Sequence, residues 1–276
     1  MATHDTDRGA PSALLSTSEA ARMLGVTPST MKRWADEGIV VCERTAGGHR
    51  RFRRSALEGF RRGPTELGVP DASTLDDDGW IAALIEASHH SVVGRLFALR
   101  GETGSWSGVA DELGPVLTAL GEAWAKGAIS IAEEHQASEC LARALVQVGL
   151  SLPTSSRPKR ALLATAEGER HELGLRLAEL CLRSRQWRSV WVGSNTPTDV
   201  LASHVESSDI ELVVVTASAW MENVSSLGRI AKRLRRVCDD RDVTLVLGGG
   251  GQWPELEGVA RISCYQEFDT LLAALG

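Results

Sequence analysis

The sequence predicts three consecutive modules: a winged helix-turn-helix, a four-helix bundle, and a doubly wound, parallel, five-stranded α/β domain. Three observations predict this order. Residues 14–62 hold two short helical patterns separated by a glycine, residues 77–152 are helical throughout, and residues 159–276 alternate apolar runs with amphipathic stretches. The segments 63–76 and Ser151–Pro158, rich in turn-forming residues, are interpreted as linkers between the modules.

Charge is distributed unevenly along the chain. The 276 residues include 30 Lys and Arg against 36 Asp and Glu, a net charge of −6. Residues 1–62 alone carry +4, whereas the remainder carries −10. This asymmetry indicates a small nucleic-acid-binding head on an acidic body.

Composition disfavours several classes of protein. The sequence has no run of eighteen apolar residues, so no membrane span is expected. Residues 1–13 lack the apolar core of a secretory signal and are expected to form a disordered tail. The five scattered cysteines show no CxxC spacing, so neither a zinc site nor a disulfide framework is expected, and a reducing cytoplasm fits.

The first module begins with a helix-start signal at Ser16–Glu19, where a hydroxyl cap is followed by a glutamate within the first turn. This helix is expected to end at Gly25. A second helix is expected to begin at Thr27–Ser29 and to end at Gly38, which makes a helix-turn-helix. Trp34 is interpreted as a core residue of the second helix rather than as a base contact.

A hairpin wing with a Gly-Gly tip and basic arms is predicted between Arg44 and Phe52. The whole segment resembles the MerR family of winged helix-turn-helix regulators. The residues that carry the resemblance are Ser18–Ala21, Leu24–Val26, Arg33–Trp34, Glu37–Gly38 and Gly47–Arg50. It implies double-stranded operator DNA as a partner, contacted by Ser29, Lys32, Arg33, Arg44, His49, Arg50 and Arg51. The wing residues are expected to bind phosphates, which supplies affinity rather than sequence choice; the alternative is a solvated basic face in a protein-binding wing.

The third module has five apolar runs separated by amphipathic stretches, a pattern typical of a parallel sheet covered by helices. The runs are Ala161–Ala166, Ser189–Val192, Leu212–Thr216, Thr244–Leu247 and Ala260–Cys264. The main helical stretches are His171–Ser184, Thr198–Glu206, Val224–Cys238 and Phe268–Leu275. Ligands of such sheets bind beyond the carboxyl ends of the strands.

Three short motifs follow successive strands of this module. The first places Glu169 two residues before His171 and Gly174 three residues after it. A carboxylate that accepts one imidazole N–H fixes the tautomer and leaves the other nitrogen for a metal. The second motif is Ser218–Trp220, and the third is the glycine run Gly248–Gly251, which allows close backbone approach to a ligand. A phosphate loop is disfavoured because no Gly-Lys-Ser/Thr follows the glycines.

In this order the motifs resemble the Rossmann-like cobalamin-binding domain of methionine synthase and the adenosylcobalamin mutases. The resemblance implies a cobalt corrinoid, with His171 as the lower axial cobalt ligand and Gly174 beside the entry of the nucleotide tail. It also implies cofactor contacts at Glu169, Ser218, Trp220, Gly248 and Gly249. Two residues depart from the family pattern: Glu169 replaces an aspartate and keeps the carboxylate, whereas Trp220 replaces a leucine.

The bundle contains Trp124 followed, after nine residues, by Glu134 and His135. This spacing resembles the signature of CarH/LitR-type photoreceptors, adenosylcobalamin-binding members of the MerR group. The resemblance implies that Trp124 packs against the 5′-deoxyadenosyl group and that Glu134 and His135 hold its polar edge. The alternative is a core tryptophan with a solvated Glu-His face. Ala125 stands where a well-known relative has a histidine, so the cobalt ligand after photolysis is left open.

Together the modules predict a light-responsive, adenosylcobalamin-dependent transcriptional repressor, and not an enzyme. Resemblance implies a tetramer that holds operator DNA in the dark and releases it after photolysis of the Co–C bond. A second hypothesis keeps DNA binding without light, as a cobalamin sensor or a cofactor-independent regulator. A third, a corrinoid methyl carrier or mutase subunit, is disfavoured because no catalytic barrel is predicted and such a carrier has little use for a winged head.

Overall fold

The computed structural model describes residues 14–36, 40–45, 47–62, 77–86, 89–221 and 224–276. The predicted tail (1–13), the predicted end of the second helix at Gly38, and the predicted linker 63–76 lie outside the described residues. Within them the structure has the predicted architecture, with a winged helix-turn-helix, a helical bundle and a parallel five-stranded sheet.

The head (residues 14–62) contains, in its described part, three helices and a small antiparallel sheet. The helices are α1 (Thr17–Leu24), α2 (Pro28–Asp36) and α3 (Arg54–Arg62), and the strands are β1 (Leu14–Ser16), β2 (Glu43–Arg44) and β3 (Arg50–Arg53). Ser16 and Glu19 form a reciprocal capping box at the start of α1, and Gly25 ends that helix in the left-handed region at φ +69°, both as predicted. Strand β1 and helix α3 were not predicted.

The bundle (residues 77–151) consists, as far as it is described, of α4 (Asp77–Glu86), α5 (His89–Thr103), α6 (Trp106–Ala125) and α7 (Ile131–Ser151). Apolar side chains such as Leu96, Leu113 and Leu141 are fully buried between these helices, and α5 is buried all round over Val92–Leu99. Among the described residues, no helix is long and apolar enough to cross a membrane.

The sheet domain (residues 160–276) has its described strands in the order β5-β4-β6-β7-β8, and every pairing is parallel. The strands are β4 (Arg160–Thr165), β5 (Arg188–Gly193), β6 (Leu212–Thr216), β7 (Thr244–Gly248) and β8 (Ala260–Arg261). The helices are α8 (Leu173–Ser184), α9 (Thr198–Ser207), α10 (Val224–Arg241) and α11 (Tyr265–Leu275). Strand β8 is shorter than predicted, because Ser263 hydrogen-bonds Glu267 and Cys264 is the N-cap of α11.

The bundle packs on α8 and α11, the helices that cover one face of the sheet. A continuous apolar cluster runs from the head through the bundle to α8 and α11, whereas α9 and α10 bury a second cluster on the opposite face. Asp111 of α6 caps α11: its carboxylate accepts the backbone N–H of Tyr265 at 2.6 Å and that of Gln266 at 3.1 Å. The bundle is thereby held against the sheet face that carries α8 and α11.

Candidate functional site

His171 lies in the loop between β4 and α8, at the carboxyl end of a central strand. Glu169 is 1% exposed, and its Oε1 lies 2.5 Å from the imidazole Nδ1 and accepts the backbone N–H of His171 at 2.8 Å. Its Oε2 accepts the backbone N–H of Ser218 at 2.6 Å. An ionised carboxylate only accepts, so Nδ1 carries the proton, and in the neutral imidazole Nε2 keeps its lone pair. The imidazole side chain is 64% exposed.

These hydrogen bonds set the charge of the pair. Burial alone raises the pKa of Glu169, but hydrogen bonds from His171 and Ser218 outweigh it and lower that pKa to about 2. The hydrogen bond to Glu169 raises the pKa of His171 against the effect of burial, and the charge of Glu134 adds to the rise. Glu169 is therefore an anion at neutral pH, the state that fixes the orientation of the imidazole.

The three predicted motifs meet at the carboxyl ends of the strands, the end of the sheet that holds His171. Ser218 follows β6, and its Oγ lies 3.2 Å from Nδ1 of His171. Gly249, just after β7, has φ +80°, and a Cβ there would lie 2.3 Å from the carbonyl oxygen of Ala217. The run from Gly248 to Gly251 thus lets the loop after β7 pack closely on the loop after β6. Its predicted approach to a ligand stays a prediction.

Two residues at this edge were not found from the sequence. The Tyr265 hydroxyl donates to the carbonyl oxygen of Gly174 at 2.9 Å and lies 3.5 Å from where a Cβ on Gly174 would stand. The space expected beside Gly174 is therefore bordered by a phenol. The hydroxyl of Thr216, the last residue of β6, is buried without a hydrogen-bond partner among the described residues. The sequence offered one sign that Thr216 belongs to the site, namely its position at the end of a strand. It offered none for Tyr265, which is ninety-one positions from Gly174.

Glu134 and His135 are the fourth and fifth residues of α7, on the bundle side of the site. The Glu134 carboxylate accepts a hydrogen bond from Ser138 at 2.7 Å and is close enough to His171 to raise its pKa. His135 is exposed, with its Nε2 3.6 Å from the Glu134 carboxylate. The predicted bundle residues and the predicted histidine are thus brought to the same region.

Two exposed indoles border this region. Trp124, near the end of α6, is 48% exposed and so is not part of the bundle core. Trp220 is 53% exposed, and its Nε1 lies 3.8 Å from where a Cβ on Gly121 would stand, one turn before Trp124 on α6. Large exposed aromatic side chains on both the bundle and the sheet domain suit a broad, partly apolar ligand.

The residues at this edge fit a corrinoid. Among the described residues no group of three His, Cys, Asp or Glu side chains could hold a metal ion unaided. A single imidazole with a free nitrogen, as at His171, suits a metal that brings its remaining ligands with it. The unpartnered hydroxyl of Thr216 is a buried polar atom that a ligand at the strand ends could satisfy.

Helix α2 presents one polar face and one buried face. Ser29, Lys32 and Arg33, the predicted groove-facing residues, are all exposed. Met31 and Trp34 on the opposite side are fully buried, which confirms that Trp34 is a core residue. The helix can therefore present its polar side to a partner without unfolding the head.

Two wing residues that were predicted to contact DNA form ion pairs within the head. Asp36, at the end of α2, binds Arg44 at 3.1 Å and also pairs with Arg50, whose hydrogen bond lowers the pKa of Asp36. Arg51 donates to the carbonyl oxygen of Arg50, and His49 is exposed beside the glycine tip. A phosphate bound by Arg44 or Arg50 has to share the guanidinium with Asp36.

Comparison with known proteins assigns a class to two of the three modules, the head and the bundle. Residues 14–63 match the family model described as a helix-turn-helix domain, and residues 82–148 match the model described as a B12 binding domain. The second match lies on the bundle and includes Trp124, Glu134 and His135.

The chain is also similar to two curated proteins. The HTH-type transcriptional repressor CarH of Myxococcus xanthus is 27% identical over 180 residues, which cover 63% of this chain and 58% of that one. The HTH-type transcriptional repressor CarA of the same organism is 30% identical over 151 residues, which cover 53% and 50%. The chain is thus similar to CarH-type regulators, as its motifs predicted, and spans a little over half the length of these relatives. Their names describe repressors, in agreement with the expectation that the chain is not an enzyme.

A solved structure shares the fold. The monomethylamine corrinoid protein of Methanosarcina barkeri is 15% identical, with a TM-score of 0.51, and the match covers 71% of this chain and 96% of that one. At this level of identity the likeness supports the combination of bundle and parallel sheet, and nothing about chemistry.

Proposed function

We propose that this protein is a cytoplasmic transcriptional repressor that binds operator DNA through its head and a cobalamin between its bundle and its sheet domain. The observation that carries the proposal is the Glu169–His171 pair, which holds one imidazole nitrogen and leaves the other free. It occurs in a chain that also matches helix-turn-helix and B12 binding family models.

Each part of the site has a role in this proposal. His171 offers Nε2 to cobalt, and Glu169 holds the ring in the orientation that makes this nitrogen available. Trp124 and Trp220 provide apolar contacts, while Glu134 and His135 lie where a polar edge of the upper ligand can be bound. When bound, adenosylcobalamin supplies a light-sensitive Co–C bond.

We further propose that light is the signal and that the oligomeric state of the protein changes in response. Contacts of Trp124, Glu134 and His135 with the adenosyl group favour a tetramer that places several heads on one operator, which multiplies the affinity of a single head. Loss of those contacts on illumination shifts the population toward a form that binds DNA poorly.

The proposal is tested by absorption spectra and gel filtration of the full chain with adenosylcobalamin, in the dark and after green light. We expect a spectrum in which the cofactor's own base is displaced by a protein nitrogen, and an assembly that becomes smaller on illumination. Absence of any spectral change on mixing contradicts cobalamin binding, whereas binding without a change in size contradicts the light-controlled assembly.

A second candidate, a cobalamin-binding regulator that does not respond to light, is favoured by Ala125. This position offers no donor beside Trp124 to bind cobalt after photolysis. The illuminated arm of the same experiment separates the two candidates.

Replacing Glu169 by glutamine is expected to weaken cobalamin binding by about 10- to 100-fold, the usual effect of losing the group that orients a metal-binding histidine. The apparent dissociation constant is measured by absorption titration with adenosylcobalamin in the dark. Glu211→Gln is the matched control, because that carboxylate also accepts a backbone N–H, from Arg160 at 2.8 Å, but lies at the amino ends of the strands, away from the site. Equal affinities for the two variants contradict the role of Glu169.

Lys32→Ala is expected to weaken DNA binding and to reduce the slope of log affinity against log salt by about 1, since one phosphate contact is lost. Binding is measured by fluorescence anisotropy with a labelled DNA duplex at several salt concentrations. Lys232→Ala, which removes an exposed lysine from α10, is the charge-matched control. If the slope changes equally in both variants, the effect comes from the loss of net charge and not from a phosphate contact of Lys32.

A further inference from the structure

The head packs directly on the bundle, through α3 against α5 and through the buried face of α2, opposite its exposed polar residues. Trp34 lies edge-on to Phe97 of α5, with ring centroids 5.1 Å apart and planes at 78°. Phe60 of α3 lies 5.5 Å from Trp34, and Trp106 of α6 lies 5.3 Å from Phe97. We call these four residues the aromatic contact. Edge-to-face pairs of this kind add specific geometry to apolar burial.

A backbone hydrogen bond makes a second connection. The N–H of Thr27 donates to the carbonyl oxygen of Ser151, the last residue of α7, at 3.2 Å. Thr27 also caps α2, because its Oγ1 accepts the backbone N–H of Thr30 at 3.1 Å. The turn that starts α2 is therefore joined to the end of a bundle helix.

These contacts reach α5 directly, α6 through Phe97, and α7 at Ser151, and the last two helices also extend to the candidate cofactor site. Helix α6 begins at Trp106 and ends just after Trp124, and α7 begins beside Glu134 and ends at Ser151. Helices of 20 and 21 residues are each about 30 Å long. The α6–α7 hairpin thus carries the candidate cofactor contacts at its closed end and the head contacts at its open end.

We propose that the α6–α7 hairpin couples cobalamin binding to the position of the DNA-reading helix α2 within a single chain, through the aromatic contact and the Thr27–Ser151 bond. The nature of the ligand rests on the proposed function, whereas the docking of the head does not. Such coupling is distinct from assembly, because it needs no second copy. It requires that cobalamin favours the docked over the undocked head.

Docking leaves the reading face of α2 open. Ser29, Lys32 and Arg33 stay exposed while Trp34 is buried against Phe97. The docked head is therefore compatible with DNA binding, and a head held in one orientation loses less freedom on binding. The contact favours DNA binding rather than blocking it.

The test is amide hydrogen exchange of residues 28–36 in the full chain, with and without adenosylcobalamin in the dark. In the unmodified protein we expect the cofactor to slow this exchange on the order of 5-fold or more, the lower range of typical coupling. Phe97→Leu keeps apolar volume but removes the ring, and it is expected to speed exchange in α2 and to abolish the response to cofactor. Phe268→Leu, an equally buried phenylalanine in α11, is the matched control and keeps the response.

The outcomes separate this inference from the proposed function, because cofactor binding is followed by absorption in the same samples. Cofactor that binds without slowing exchange in α2, or a response that survives in Phe97→Leu, overturns the coupling alone. No spectral change on mixing overturns the cobalamin proposal and the coupling with it. If Phe97→Leu does not fold, Trp34→Phe tests the same contact and is expected to weaken the response.

Discussion

A His171→Ala variant is expected to bind cobalamin at least about 100-fold more weakly than the unmodified chain, since loss of a metal ligand exceeds loss of its orienting partner. Nε2 of His171 is the nitrogen that the hydrogen bond from Nδ1 to Glu169 leaves free. Affinity is measured by absorption titration with adenosylcobalamin in the dark. His49→Ala removes an exposed imidazole from the head and should leave the affinity unchanged.

The ligand itself can be identified by electron paramagnetic resonance of added cob(II)alamin on protein labelled with ¹⁵N. A protein nitrogen on the cobalt axis splits each line into a doublet, whereas the ¹⁴N of the cofactor's own base gives a triplet. We expect doublets for the unmodified protein and their loss in His171→Ala. Triplets in the unmodified protein, or doublets that survive in the variant, would exclude His171 as the ligand.

Gly249→Ala is expected to lower the free energy of unfolding of the sheet domain by about 2–5 kcal/mol. Strain from its positive φ accounts for about 1–2 kcal/mol, and a Cβ forced against a neighbouring atom adds about 1–3 kcal/mol. The clash is specific: the carbonyl oxygen of Ala217 would lie 2.3 Å away. Urea unfolding followed by circular dichroism measures the loss.

The matched control for this prediction is Gly258→Ala. Gly258 has nearly the same φ, +77°, but a Cβ there meets nothing within 4 Å. It is therefore expected to show the strain alone, about 1–2 kcal/mol. If both variants lose the same free energy, the packing of the loop after β7 on the loop after β6 does not depend on the missing side chain.

Local patterns predicted most of the fold. Alternating apolar runs identified the five strands, and the Ser16 cap and Gly25 fixed the bounds of α1 because both signals depend on neighbouring residues only. The same holds for Glu169 and His171, whose hydrogen bond spans two positions. Strand β1 escaped prediction because Leu14–Ser16 is too short for an alternating pattern, and its stability comes from pairing with β3.

Contacts between distant residues could not be predicted. The Tyr265–Gly174 hydrogen bond joins the starts of two helices ninety-one positions apart, and Asp111 caps a helix in another module. Trp34 was correctly placed in a core, but the sequence gave no means of assigning Phe97 as its neighbour. Helical periodicity shows which face of a helix is buried and not what covers it.

The central claim is that a cobalamin bound by this chain controls its hold on DNA. The most direct measurement selects random-sequence duplexes with the full chain and adenosylcobalamin in the dark, then follows retention of a selected duplex without cofactor and after green light. We expect retention in the dark with adenosylcobalamin and release on illumination, with no release from an otherwise equal sample kept dark. Equal retention with and without cofactor, in light and in darkness, would contradict it.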